Sequence, residues 1–269
     1  MSTWESLSLI AGAVLGEVAQ ESIDNDFPET LAEMATDPTA PLTQLQLQDW
    51  VDVTLYGSDN VANTFIVRPE AAFSPRHYFP FAQILRIQGE LETLPRSPHG
   101  DNITGLGDFQ IYDLILFGTP RWGRWGLGPM GIIPTATNNK LGQGKWQVGP
   151  VAALAILNVP RWQFGFLAQN PYSYAGNGSR PDVISLFLQP FIVFHFDHGW
   201  YLNTDAQWTF QWNPSKTLIP LNFGFGRVFT IGTQDVNMFL QGEWMAYHNH
   251  TVIAPHTTIK LGFHFLFPE

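Results

Sequence analysis

Between His256 and Phe267 the chain alternates with a period of two: Ile259, Leu261, Phe263, Phe265 and Phe267 fall on one face, Thr258, Lys260, Gly262 and His264 on the other. This is the signature of a β-strand with two unlike faces. In a soluble sandwich the apolar face would meet a core and the polar face water. In an outer-membrane barrel the apolar face meets lipid and the polar face lines a lumen. Repetition of the pattern and the arrangement of the turns decide between them.

From Gln44 onward the chain divides into twelve segments of barrel-strand length: 45–56, 62–73, 79–94, 104–117, 122–134, 145–157, 161–174, 183–197, 200–212, 217–230, 235–248 and 256–267. In the eighth, Ile184, Leu186, Leu188, Ile192, Phe194 and Phe196 alternate with Ser185, Gln189, His195 and Asp197. The ninth sets Leu202, Ala206, Trp208, Phe210 and Trp212 against Tyr201, Asn203, Asp205, Gln207, Thr209 and Gln211. Val236, Met238, Leu240 and Trp244 oppose Asn237, Gln241, Glu243 and Tyr247 in the eleventh, and the third sets Phe79, Phe81, Leu85, Ile87 and Leu91 against Arg86, Gln88, Glu90 and Glu92.

Connections alternate too. Those at 74–76, 118–121, 159–160, 197–199 and 231–234 are tight, whereas 95–103, 135–144, 175–182 and 249–255 are longer; 57–61 and 213–216 belong to the longer side although short themselves. Short periplasmic turns opposite longer extracellular loops are what such barrels show, and an even strand count puts both termini on the periplasmic side. Three tight turns share Pro-Arg-aromatic, at Pro75-Arg76-His77, Pro120-Arg121-Trp122 and Pro160-Arg161-Trp162. Trp122, Trp162 and Trp200 are expected in a lower aromatic belt, and Tyr56, Trp146, Tyr174 and Trp212 in an upper one.

Composition agrees. Only 13% of residues are charged while 45% are hydrophobic, against about 25% charged in soluble domains. No apolar run reaches the ~18 residues of a membrane helix, so a lipid-embedded chain must close a barrel of strands. The absence of cysteine removes disulfides and thiolate chemistry. A net charge of −10 excludes nucleic acid as a partner, because phosphate binding needs a basic stripe.

Several positions break the pattern. Asp113 and Arg227 share parity with apolar neighbours, which predicts a bulge or a turn-end snorkel. Pro69, Pro129, Pro134 and Pro150 mark the second, fifth and sixth strands as irregular. Residues 1–44 form an acidic N-terminal arm or plug ahead of the barrel at 45–269, with Glu5, Glu17, Glu21, Asp24, Asp26, Glu29, Glu33 and Asp37 and no base before Arg68. Ser8 to Leu15 therefore lacks the basic flank of a signal peptide. Two readings stay open for the arm: a solvated periplasmic segment, or a short helix with Pro28 in its first turn and Glu29 to Ala35 following, inserted in the lumen. Asp37-Pro38 ends any such helix.

Some stretches resemble the bacterial outer-membrane transporter family named for the "MetA pathway of phenol degradation" and often mislabelled neuromedin U. They are Leu31 to Pro38, Arg68-Pro69, Ile84-Leu85-Arg86, Gly105-Leu106-Gly107-Asp108, Trp125 to Pro129, Pro134 to Thr137, Leu141 to Pro150 and Gly224 to Phe229. The resemblance implies an outer-membrane barrel and an uptake channel, and the family's name suggests aromatic or hydrophobic compounds as cargo. Such barrels usually end on an aromatic residue read by the barrel insertion machinery; here Pro268-Glu269 follow Phe267.

The expected fold is thus all-β, a closed antiparallel transmembrane barrel in a Gram-negative outer membrane, with lipid outside and a small-molecule solute inside. Its inward ionisable set is Arg68, Glu70, Arg86, Glu90, Glu92, Asp108, Lys145, Asp205, Glu243, Lys260 and His264. These charges either neutralise one another across neighbouring strands or form a ladder of opposite charge at a constriction, for which Arg68 and Arg86 are the candidates. Lys260 and His264 lie beside Gln46, Gln48 and Asp52, where they hold the seam of the barrel. Passive transport needs no cofactor. A plugged structural barrel that tethers partners in a larger assembly is the alternative, and the sequence does not fix the oligomeric state. A hydrolase is disfavoured, since the outward faces carry no histidine, and His248, His250 and His256 at the rim have no serine placed beside them. No metal site follows from the His248-Asn249-His250 pair alone.

Overall fold

The computed structural model describes residues 29–76, 79–117, 121–213, 215–249 and 251–268. The acidic positions Glu5 to Asp26, the Ser8 to Leu15 stretch, Pro28, His77, Pro120, His250 and Glu269 lie outside the described residues.

The chain is a closed antiparallel barrel of 12 strands. β1 spans Thr43–Tyr56, β2 Ala62–Phe73 and β3 Gln83–Pro95. β4 runs in two pieces, Asn102–Leu106 and Phe109–Leu116, and is followed by β5 at Gly123–Ile133 and β6 at Lys145–Val159. β7 is again in two pieces, Trp162–Gln169 and Tyr172–Gly176, and β8 spans Ile184–His195. β9 comprises Trp200–Thr204 and Trp208–Asn213; β10 spans Ser215–Ile231, β11 Gln234–Asn249 and β12 Ala254–Phe267. Each strand pairs with its successor, and β12 pairs with β1 from Thr43 opposite Phe267 to Tyr56 opposite Ala254. No edge is left open, which is the condition for strands to sit in hydrocarbon.

Faces follow the alternation read in the sequence. On β12, Ile259, Leu261, Phe263 and Phe267 are exposed while Lys260, Gly262, His264 and Leu266 are buried. Phe65, Ile87, Leu127, Phe223, Phe225 and Leu240 extend this apolar exterior around the barrel. Trp122, Trp162 and Trp200 are exposed at the short-turn end, and Trp146, Tyr174 and Trp212 at the long-loop end. Tyr56, at the same end, packs at the rim with its ring tilted against two others, centroids 4.3 Å from His248 and 4.6 Å from His256.

Pairing gaps accompany the prolines: β2–β3 skips Arg68 and Pro69, between Val67–Gly89 and Glu70–Arg86, and further gaps lie at Pro129 and Pro150. β2, β5 and β6 nevertheless stay single elements, and it is β4, β7 and β9 that divide in two. Proline removes a donor from the rung it would share with a neighbour, so the neighbour loses the pairing. Pro129 and Pro150 face one another, so each presents its missing N–H to the strand on its other side. The β4–β5 pairing accordingly skips from Tyr112–Met130 to Ile115–Leu127, and β7 breaks at Asn170-Pro171 beside Pro150. In β9 the register places Ala206 opposite Pro190 and Gln207 opposite Pro220. The break in β4 is a one-residue bulge, with Gly107 and Asp108 both facing Glu90.

No bulge occurs at Asp113, whose register with β3 is continuous; its outward carboxylate accepts a 2.9 Å bond from Gln83 Nε2. Arg227 lies outward near the short-turn end, 5.2 Å over the Trp200 ring, and donates to the His198 carbonyl at 3.3 Å. That is the snorkelling arrangement. β3 starts at Gln83 rather than 79.

The interior is not uniformly polar. Ile84, Leu114, Leu116, Met130, Val151 and Leu167 form a solid apolar core against one side of the barrel wall. Polar space remains in two places, one mainly against β1, β9, β11 and β12 and one mainly against β3, β4, β6 and β7. Gly128 stands where the β4–β5 ladder is interrupted, and a Cβ there would lie 1.7 Å from the Asp113 carbonyl oxygen. We expect Gly128→Ala to lower the thermal midpoint of the barrel, read as loss of heat-modifiable mobility in electrophoresis. Gly242→Ala, with nothing within 4 Å of its added methyl, should leave that midpoint unchanged.

Candidate functional site

The short-turn end of the lumen is closed by residues 29–42. Their centre is helix α1, Leu31–Thr36, with Thr30 as N-cap in a reciprocal capping box with Glu33. It starts two residues later than the Pro28 signal predicts, because this box supplies the first-turn acceptors. Asp37 ends it: its Oδ1 accepts from the Thr39 N–H and hydroxyl, both at 2.7 Å. Leu31, Met34 and Ala35 pack on Leu42, Leu266 and Val228.

Three inward side chains hold this floor. Arg124 of β5 donates to both Glu29 oxygens at 2.7 and 3.0 Å, and ion-pairs with Asp37. Gln163 of β7 donates to the Glu33 carbonyl at 3.0 Å and accepts from the Thr36 hydroxyl at 2.8 Å. His195 of β8 bonds the same Gln163 at 3.1 Å. Burial raises the Glu29 carboxyl above its ordinary 4.5, outweighing the attraction of Arg124.

Above the floor lie two cavities. The lower, about 130 Å³, is bounded below by Ala35 to Pro38 and lined by Gln44, Gln46, Gln48, Trp50, Asp205 and Gln241 among others. The upper, about 260 Å³, is lined by Glu90, Glu92, Asp108, Tyr112, Leu141 and Gln143 among others. Arg68 and Arg86 line both.

The expected inward residues are distributed between them. Arg86 is ion-paired with Glu70 and lies 5.1 Å over the Tyr112 ring. Glu70 also accepts from Gln44 at 2.9 Å. Arg68 donates to Gln88 at 2.7 Å and Gln46 at 3.2 Å, and Gln88 donates on to Glu90. Glu92 sits beside Glu90 in the upper cavity. Lys260 meets Glu243 at 2.6 Å and lies 4.1 Å over the Trp50 ring. His264 contacts Gln48 at 3.0 Å across the β12–β1 seam, as its position predicts.

Two members serve other ends. Lys145 reaches out of the lumen to Asp182 at 2.9 Å, holding that exposed carboxyl below its ordinary range. Asp108 anchors a loop: it accepts from the Ala136 and Gln143 backbone N–H at 3.1 and 2.7 Å. Thr137 and Leu106 exchange two bonds of 3.0 Å, and Leu141 is buried over the upper cavity. Residues 134–144 are thus folded inward onto the β4 bulge, and Arg180 grips them through the Asn139 and Gly142 carbonyls.

Reasoning from sequence missed Arg124 and the inward loop. Arg124 carries the inward parity, opposite to Trp125 and Leu127, and that signal was available. The loop had a weaker one, in that Gly105 to Asp108, Pro134 to Thr137 and Leu141 to Gly144 all belong to the stretches bearing the family resemblance; they are one contact. At the rim, His248 and His256 bond Thr251 and Thr54, each at 3.2 Å.

Comparison with protein-family models and with curated proteins finds no match. The chain is similar to the crystal structure of an outer-membrane channel from Pseudomonas putida F1, with a TM-score of 0.57 at 13% identity over 84% of this chain and 94% of that one. It is also similar to the KdgM porin in complex with disordered oligogalacturonate, with a TM-score of 0.47 at 5% identity over 84% and 99%. The first likeness establishes a shared barrel fold.

Removing one partner of a buried ion-pair cluster costs roughly 3–5 kcal/mol. Arg124→Ala should therefore undock residues 29–42, seen as new protease cleavage between Glu29 and Leu42 in an intact barrel. The raised Glu29 carboxyl means that the docked segment binds more protons than the free one. Docking should strengthen as pH falls from neutral toward about 4.5, measured as slower cleavage of the same segment.

Proposed function

We propose that the protein is a passive outer-membrane channel for small solutes, with both termini periplasmic and residues 29–42 as its periplasmic closure. The observation that carries this reading is the pair of stacked polar cavities meeting at Arg68 and Arg86. A barrel built only as a scaffold has no need of two adjacent polar spaces lined by amides and charges. The apolar core narrows the route, which limits cargo to small molecules. Opposite charges along it, Arg68 and Lys260 against Glu90 and Asp205, give a solute both kinds of partner during passage. Transport then runs down a gradient and uses no cofactor.

Closure at both ends, by α1 below and residues 134–144 above, favours a second reading, a permanently plugged barrel that tethers partners.

Single-channel recording in a planar bilayer separates the two. We expect rare openings from the full chain, frequent openings from Arg124→Ala, and a shift of ion preference away from anions in Arg68→Gln. Silence from full-length protein and Arg124→Ala, both shown to be folded, would sink the channel and leave the plugged barrel.

A further inference from the structure

Four of the inward cations are neutralised by carboxylates: Arg86 by Glu70, Arg124 by Glu29 and Asp37, Lys145 by Asp182, and Lys260 by Glu243. Arg68 is different. Its Nε and Nη1 donate to the side-chain oxygens of Gln88 and Gln46, which are neutral, and its Nη2 has no acceptor among the described residues. The side chain is only partly buried, so the free edge of the guanidinium opens on the cavity.

Asp205 is its counterpart. Asp205 Oδ1 accepts from Asn222 Nδ2 at 2.7 Å and Gln241 Nε2 at 2.9 Å, again neutral amides, and its Oδ2 has no donor among the described residues. It sits in the interruption of β9, where Asn222 also takes the Asp205 N–H at 2.8 Å and so fixes the backbone that carries the carboxylate. Both residues line the lower cavity, and no ion pair joins them. They come from β2 and β9, five strand steps apart in one direction and seven in the other, hence from roughly opposite walls.

A charge held by neutral amides is oriented but not neutralised, and enclosing it is costly unless something completes it. Here a cation and an anion are held this way across one small space. We propose that Arg68 and Asp205 form a dipolar receptor for a small zwitterion of the amino-acid class, its carboxylate on the Arg68 guanidinium and its ammonium on Asp205 Oδ2. The planar guanidinium edge matches a carboxylate in two-point contact, and an ammonium donates to a free carboxylate oxygen. Gln48, Gln189 and Gln207 in the same cavity offer neutral donors and acceptors to the rest of the solute. The inference rests on the channel reading, since the solute reaches this space through the lumen.

Isothermal titration of the full chain in detergent tests it, with glycine, β-alanine and γ-aminobutyrate as probes beside butyrate and butylammonium. At least one zwitterion should bind tenfold or more tightly than either singly charged probe. Arg68→Gln should abolish binding of that zwitterion and of butyrate. Asp205→Asn should bring the zwitterion down to the level of butyrate and leave butyrate unchanged. Heat-modifiable mobility certifies that each variant is folded, and the two substitutions test the site independently. Equal affinity for all probes, no binding to folded protein, or zwitterion binding indifferent to both substitutions would overturn the receptor. A protein silent in the bilayer that still discriminates zwitterions loses the channel and keeps the receptor; a conducting protein that does not discriminate does the reverse.

Discussion

Hydrocarbon offers no hydrogen bonds, so the first demand on this chain is that each strand find two partners. The β1–β12 seam meets it, from Thr43–Phe267 to Tyr56–Ala254. Much else follows from the same demand. Prolines survive inside the strands because the pairings they spoil are repaired by other groups: the Asn170 amide bonds the Ser185 carbonyl at 2.6 Å, and the Trp208 indole donates to the Pro220 carbonyl at 3.1 Å. Where the ladder opens, a side chain takes over. Asp108 and Asp205 both stand in such openings, one gripping a loop and the other facing the lumen.

Closing twelve strands leaves an interior too wide to be solid with small side chains and too narrow to be an aqueous pore. The chain resolves this asymmetrically. Apolar residues from Ile84 to Leu167 form a core confined to β3 to β7, while glutamines, asparagines and paired charges line the cavities, on those strands as well as on the others. Amides suit such a lining because each carries both a donor and an acceptor and brings no charge to desolvate. The few charges present are therefore conspicuous, and those left with amide partners most of all.

The strands, their faces and their turn lengths were legible in the sequence because a two-residue period survives averaging over twelve repeats. Ile259 to Phe267 alone announce both lipid and lumen. Less legible were contacts made once. Nothing in the spacing of Glu29, Asp37 and Arg124 says that they meet, since that depends on the angle at which residues 29–42 enter a barrel whose shape is not yet known. Asp108 reads as one more inward charge until the loop that it holds is seen. The prolines mark where the ladder lapses, at Pro69, Pro129 and Pro150, but not which strand divides, because a missing N–H is felt by the partner as well as by its owner. Inward apolar residues such as Phe191 and Val193 were hidden in the run from Pro190 to Phe194, where both faces of β8 are apolar.

The floor of the lumen is continuous with the barrel wall: Leu42 is followed directly by Thr43 of β1. Fourteen residues, 29 to 42, reach at most roughly 50 Å when extended, so an undocked segment stays in the vicinity of its own seat. Tethering of this kind gives effective concentrations on the order of millimolar. Recapture is then independent of how much protein the membrane holds, and modest contacts suffice to keep the seat occupied most of the time. The buried Arg124 cluster consequently sets how long the segment stays docked, while the tether sets how soon it returns.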